Sequence, residues 1–213
     1  MDTEDYRAML QGLDREFELR DGFFRALMDQ DDWSFVIKIH ALLEAAITHL
    51  LVHKLGDARL QKVVERLPLI DEQFGKLRIA QDLLLLPKEK VRLVWKLAEL
   101  RNQLAHKISN VNFSFADHLA ALNKDQRKAF SECFAGWAAS GQIREGWARA
   151  ALEKPKWTIW SGTLSTIVGI QLVVAETKAE RQRAAGLISL AETMIAESPE
   201  LDPDFDPDDE TDL

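Results

Sequence analysis

Between Asp32 and Gly56 the chain carries Phe35, Val36, Ile37, Ile39, Leu42, Leu43, Ile47, Leu50 and Leu51 with a single acid, Glu44. Advanced by about 100° per residue, these side chains cover nearly the whole circumference of a helix. A helix over 33–55 therefore has no face to give to water and belongs at the centre of a helical assembly. Asp31 and Asp32 supply N-cap chemistry at its start, and Gly56 ends it. Glu44 projects between Ile37 and Leu51, where a carboxylate needs a partner.

A second helix, with Pro87 as its first residue and reaching about Ser109, has a different character. Leu93, Leu97, Leu100, Leu104 and Ile108 form one apolar stripe, which Val91, Val94, Ala98 and Ala105 widen on one side. Glu99, Arg92, Gln103, Lys96 and Lys107 take the solvated face. Arg101 falls at roughly 80° from Leu93, inside the apolar arc. Asn102 and His106, four apart, lie one above the other at the apolar border beside Trp95. A guanidinium in such an arc needs an acidic partner, a ligand or a second subunit. Two readings of Arg101 are compatible. It is an ion-pair partner of Glu44, each being an isolated charge on an apolar face, or it is part of a site. His106 likewise reads either as a helix-end histidine favoured by the dipole or as a functional group.

The remaining pattern is helical too. Six Pro and ten Gly in 213 residues favour long helices over many short strands. Helical periodicity covers 14–28 (interrupted by Gly22), 58–67 (stopped by Pro68), 71–86, 124–139, 142–152 and 157–196. The stretch 110–117, Asn-Val-Asn-Phe-Ser-Phe-Ala-Asp, reads as a loop. No internal repeat, heptad run or glycine-rich phosphate loop is present. Trp160 to Ala175 has the length of a membrane span, but Ser161, Gly162, Thr163, Ser165, Thr166 and Gln171 interrupt it, and it reads as a buried helix or an interface. The first residues, Met1 to Asp5, are acidic and lack the pattern of a signal peptide.

With one cysteine, Cys133, the chain has no intrachain disulfide and no cysteine-based zinc site, which suits a reducing cytoplasm. Cys133 sits in an alanine- and phenylalanine-rich helix and reads as core. The net charge of −8 is unevenly placed: 197–213 holds nine acids and no base, which leaves about +1 for the rest. The low pI therefore does not argue against a nucleic-acid ligand. The acidic stretch itself reads as a disordered, solvated tail. His49 and His53 have a spacing that can bind metal, but no third ligand accompanies them, and neither a metal site nor a cofactor is expected. His40 and Glu44 form a similar pair suited to packing and hydrogen bonding. Trp137, Trp147, Trp157 and Trp160 can stack bases, though without dense basic residues among them they read first as packing or a partner surface.

The motif Arg101-Asn102-x-x-x-His106 at the end of a helix, in an all-helical context, resembles the HEPN superfamily. Leu43-Glu44 on the upstream apolar helix and the downstream Phe113-Ser114-Phe115-Ala116-Asp117 narrow the resemblance to the mannitol operon repressor-like branch, over about 32–122. The resemblance implies an all-α, up-and-down bundle over 1–122. A helical extension over 123–196 is then expected to pack on that bundle, followed by the acidic tail over 197–213. It further implies a homodimer that brings two motifs together at its axis. In active members of the superfamily that pair is a metal-independent endoribonuclease of toxin or defence systems. Arg101, Asn102 and His106 are then the catalytic residues, with Glu44 in support. A histidine can move the proton of a ribose 2′-hydroxyl, and a fixed arginine can hold the scissile phosphate. Arg101 and His106 lie about 140° apart on one ideal helix, so two chains converge them better than one. RNA, a second copy and an antitoxin or regulatory protein are the expected partners, with no membrane. The rival expectation is a non-catalytic, mannitol repressor-like regulator or interaction module. Direct DNA reading has little support, because no basic recognition helix is apparent.

Overall fold

The structure, a computed structural model, describes residues 3–138 and 140–197. Among these residues every regular element is helical. Helix α1 spans Thr3–Glu16 and is followed by a short α2, Phe23–Ala26. The turn between them is organised by Asp14. Its buried carboxylate accepts the amides of Gly22 at 2.7 Å and Phe24 at 3.2 Å, and Gly22 takes the left-handed conformation (φ 78°) the return requires.

Helix α3, Asp32–Leu55, starts as its sequence indicates: the Asp31 carboxylate accepts the amide of Ser34 at 2.8 Å, and Gly56 closes the far end with φ 73°. Asp32 has another duty. It accepts the amide of Phe115 at 2.9 Å and pairs with Lys156 at 3.2 Å, tying the start of α3 to two later elements. After α4, Gln61–Arg66, the helix expected over 71–86 is cut to α5, Lys76–Asp82. The exposed Asp71 carboxylate accepts the amides of Gln73 and Phe74, and the amides of Lys76 and Leu77 return to the carbonyls of Pro68 and Leu69. That tight return is why Gly75 is there: a Cβ would stand 2.5 Å from the Asp71 amide nitrogen.

Helix α6, Lys88–Ala105, begins after Pro87, which stands one residue before the helix, and ends at Ala105, four residues short of the expected end, with His106 as its C-cap. A 3-10 turn over Ile108–Asn112 follows, and Ser114 then caps α7, Phe115–Ala121, accepting the Asp117 amide at 3.1 Å. The expected loop is thus a helix stop and a helix start in quick succession. Helix α8, Lys124–Ala135, opens on a capping box of Asn123 and Gln126. Helix α9 spans Gln142–Glu153, and α10 runs over Pro155–Glu197.

The chain divides after Val174. In the first unit a single core runs from Leu10 to Val174, so the boundary expected at 122/123 falls inside it: Phe130, Phe134, Ile159, Leu164, Ile167 and Ile170 belong to the same cluster as Phe35, Leu43 and Leu97. Helix α3 is central, with Phe35, Ile39, Leu43, Ile47 and Leu51 fully inaccessible. Helix α6 packs on α3, α5 and α8, and α10 crosses it closely at Gly162, where a Cβ would collide with Leu93 and lie 2.7 Å from Trp137 Nε1. The second unit, described over 175–197, continues α10 with Leu187, Ile188, Leu190, Met194 and Ile195 more than half exposed. Both α3 and α10 have the length and hydropathy of membrane spans, and about half of each apolar stretch is buried in the fold. Apart from Glu197, the expected acidic tail lies outside the described residues.

Candidate functional site

Four elements position the motif. Helix α6 carries Arg101 and Asn102 on its last full turn and His106 at its C-cap; α3 presents His40 and Glu44; α5 brings Lys76; and the 3-10 turn after α6 holds the helix end. The apolar arc of α6 is filled within the chain, since Val91, Leu93, Val94, Leu97, Ala98, Leu100 and Leu104 are all buried. Its width therefore does not require a second subunit. Ile108 departs from the arc. It lies beyond the helix stop and is 91% exposed, with Val111 at 48% beside it.

The expected Glu44–Arg101 pair does not form. Glu44 instead accepts Lys76 Nζ at 3.0 Å, and the side chains of Lys76 and Glu44 are 3% and 35% exposed. The reason lies in α5. Lys76 is its first residue and points inward, and a buried ammonium at the positive end of a helix dipole needs a carboxylate more than a half-exposed guanidinium does. Arg101 is half-buried and donates from Nη1 to Asn102 Oδ1 at 3.0 Å; among the described residues it has no carboxylate partner. The structure thus brings Arg101 and Asn102 together. It leaves His106 apart, exposed at the helix end, with no hydrogen bond to Asn102 among the described residues.

Two further residues join this neighbourhood. His40, buried one turn before Glu44, has a pKa pushed down from the ordinary histidine value, first by burial and then by the positive charges of Arg101 and Lys76, against the opposing pull of Glu44. Its imidazole is therefore neutral at pH 7. Asn110 caps α6 from the turn, donating Nδ2 to the carbonyls of Gln103 at 2.8 Å and Leu104 at 3.4 Å. It satisfies two carbonyls that a helix end otherwise leaves open, and so fixes where His106 emerges. The sequence signals for these residues are weak. His40 shares a helix face with Glu44, but Lys76 stands out only once the helix is known to start there.

The other titratable candidates are placed plainly. The rings of His49 and His53 lie 4.3 Å apart, and among the described residues no three His, Cys, Asp or Glu side chains gather as a metal site would need. Burial pushes the Cys133 thiol pKa up, which makes it a poor nucleophile. Trp147 stacks on Trp157 at 4.6 Å with 6° between planes, and Trp137 packs against Trp147 at 4.7 Å with the rings tilted by 59°.

Compared with family models, curated proteins and solved structures, the chain matches none of them.

Proposed function

We propose that the protein is a metal-independent endoribonuclease of the HEPN type, acting as a cytoplasmic homodimer in the manner of a toxin or defence nuclease. The observation that supports this most is the state of Arg101: a half-exposed guanidinium held by a neutral amide, with the nearby carboxylate already taken by Lys76. A structural ion pair is the ordinary reason for an arginine in that position, and among the described residues this arginine makes none. Its charge remains for an anion, and a phosphodiester suits its planar fork.

In this reading Arg101 grips the scissile phosphate and offsets the negative charge that grows on it as the 2′-oxygen attacks phosphorus. His106 takes the proton from the 2′-hydroxyl, and a second His106 returns one to the departing 5′-oxygen. Asn102 keeps the guanidinium oriented. Two chains supply the two histidines, and exposed Ile108 and Val111, adjoining His106, provide apolar surface for an isologous contact.

The deciding experiment is RNA cleavage in excess chelator. The wild type should cleave. His106→Ala and Arg101→Ala should each lose about 10²–10⁴-fold in rate while keeping their oligomeric state. Equal activity in wild type and His106→Ala, or none in either, overturns the proposal. A regulatory or interaction module is the alternative, favoured if Ile108 and Val111 are covered by a different protein rather than by a second copy.

A further inference from the structure

An open groove of about 680 Å³ lies where the starts of α3, α7 and α10 meet the end of α9. Its walls differ. Met28, Phe115, Leu119 and Leu152 give one apolar surface, and Trp157 gives an aromatic one that is 43% exposed. The indole is held in place: Trp147 stacks on it nearly parallel and is itself packed on Trp137 at 4.7 Å. A tryptophan locked in this way loses little freedom when another flat ring meets it.

The charges of the groove divide into used and unused. Lys156 is committed to Asp32 at 3.2 Å, to the Gln30 carbonyl and to the face of Phe35. Lys154 is exposed and has no ion-pair partner among the described residues. Arg127 is aimed by the carbonyls of Leu122 at 3.1 Å and Ala120 at 3.4 Å, and it too lacks a carboxylate among the described residues. Asp32 is occupied, which leaves Glu153 as the groove's other acid. A rigid aromatic face, an apolar wall and two cations with no ion-pair partner among the described residues suit a ligand that is flat and apolar at one end and anionic at the other. The volume lies within the range of about 300–1,000 Å³ usual for such sites.

We infer that this groove is a subsite for one unpaired nucleotide of single-stranded RNA, its base against Trp157 and its phosphate between Lys154 and Arg127. The choice of RNA rests on the ribonuclease reading above, and the chain path supports it. From His106 at the end of α6, the 3-10 turn Ile108–Asn112 and the Ser114 cap lead directly to Phe115, whose amide is bound by Asp32 in the groove. Nine positions of chain thus separate His106 from the groove lining at Phe115.

The test uses the full chain carrying His106→Ala, so that RNA is not consumed, with a labelled oligouridylate about eight nucleotides long. Binding should quench tryptophan emission. Trp157→Leu should weaken it about ten-fold or more, as loss of one stacking contact does. Lys154→Gln changes an exposed residue and leaves the fold intact; it should weaken binding and flatten the dependence of log K on log salt by about 0.7. Unchanged affinity in Lys154→Gln and in a folded Trp157→Leu overturns the inference. So does uridine monophosphate binding as tightly as the oligonucleotide with the same sensitivity to both changes, which assigns the groove to a free nucleotide. The two proposals fail separately. Groove-dependent binding without cleavage by the parent removes the nuclease and keeps the subsite. Cleavage dependent on His106, with binding indifferent to the groove, does the reverse.

Discussion

Burying Lys76 beside Glu44 makes the two ends of that ion pair unequal, because only the ammonium is fully removed from water. Glu44→Ala strands a buried cation and should destabilise the protein by roughly 1–3 kcal/mol, less than the loss of a fully buried pair since Glu44 is partly solvated. Lys76→Met replaces the ammonium with an apolar side chain of similar length and should cost little or even stabilise. Urea denaturation of the two variants checks the asymmetry, and equal losses would contradict it. His40 makes a prediction in pH. Its folded pKa lies below the unfolded value near 6.5, because of burial and then Arg101 and Lys76. Above that value the residue is neutral in both states and stability is complete. As pH falls below it, the unfolded chain binds a proton that the folded chain resists, so stability drops until the folded pKa is passed. His118, half-buried, shifts in the same direction for the same first cause. His40→Gln should flatten the fall in the denaturation midpoint as pH drops below about 6.5, and a further His118→Gln change should flatten it more.

At the level of elements, what could be read in advance was whatever rests on local patterning. Helix α3 was legible to within a residue because its apolar circumference lies within it and its cap and closing glycine lie immediately beside it. The starts of α8 and α9 were equally plain. What escaped was set by contacts distant in sequence. The 71–86 segment has the periodicity of one helix, yet the carbonyls of Pro68 and Leu69 take the amides of Lys76 and Leu77, and only α5 remains. Helix α6 has periodicity beyond Ala105, yet Asn110 returns to cap its last carbonyls. The motif residues could be named from the sequence, but the choice of Glu44 between two cations could not, because it depends on where α5 begins. Gly75→Ala tests the first of these contacts. Its new methyl meets Asp71 backbone rather than a side chain that can move aside, and the cost should be about 1–3 kcal/mol, measurable as a lowered denaturation midpoint. Free tolerance of alanine would show that the loop has another way to close.

At the scale of the whole molecule, the proposed function turns on assembly. If two motifs share one site, Ile108→Asp should dissociate the dimer in sedimentation experiments and abolish cleavage, while leaving the melting temperature of the monomer fold nearly unchanged, because Ile108 is already exposed. A wild type that sediments as a monomer removes the shared site. The exposed side chains of the second unit can be separated from this effect by exchanging Leu187 and Ile195 for Gln, which should leave cleavage intact. Lastly, the close crossing at Gly162 governs which sequences this architecture admits. The helices on either side can trade one apolar residue for another of similar volume, and the solvated turns can drift further still. At Gly162 the missing side chain is itself the packing surface, and nothing in the genetic code is smaller. A library randomised along α10 and selected for folded protein should therefore diversify at most positions and favour glycine at 162, any alanine found there requiring Leu93 or Trp137 to move aside.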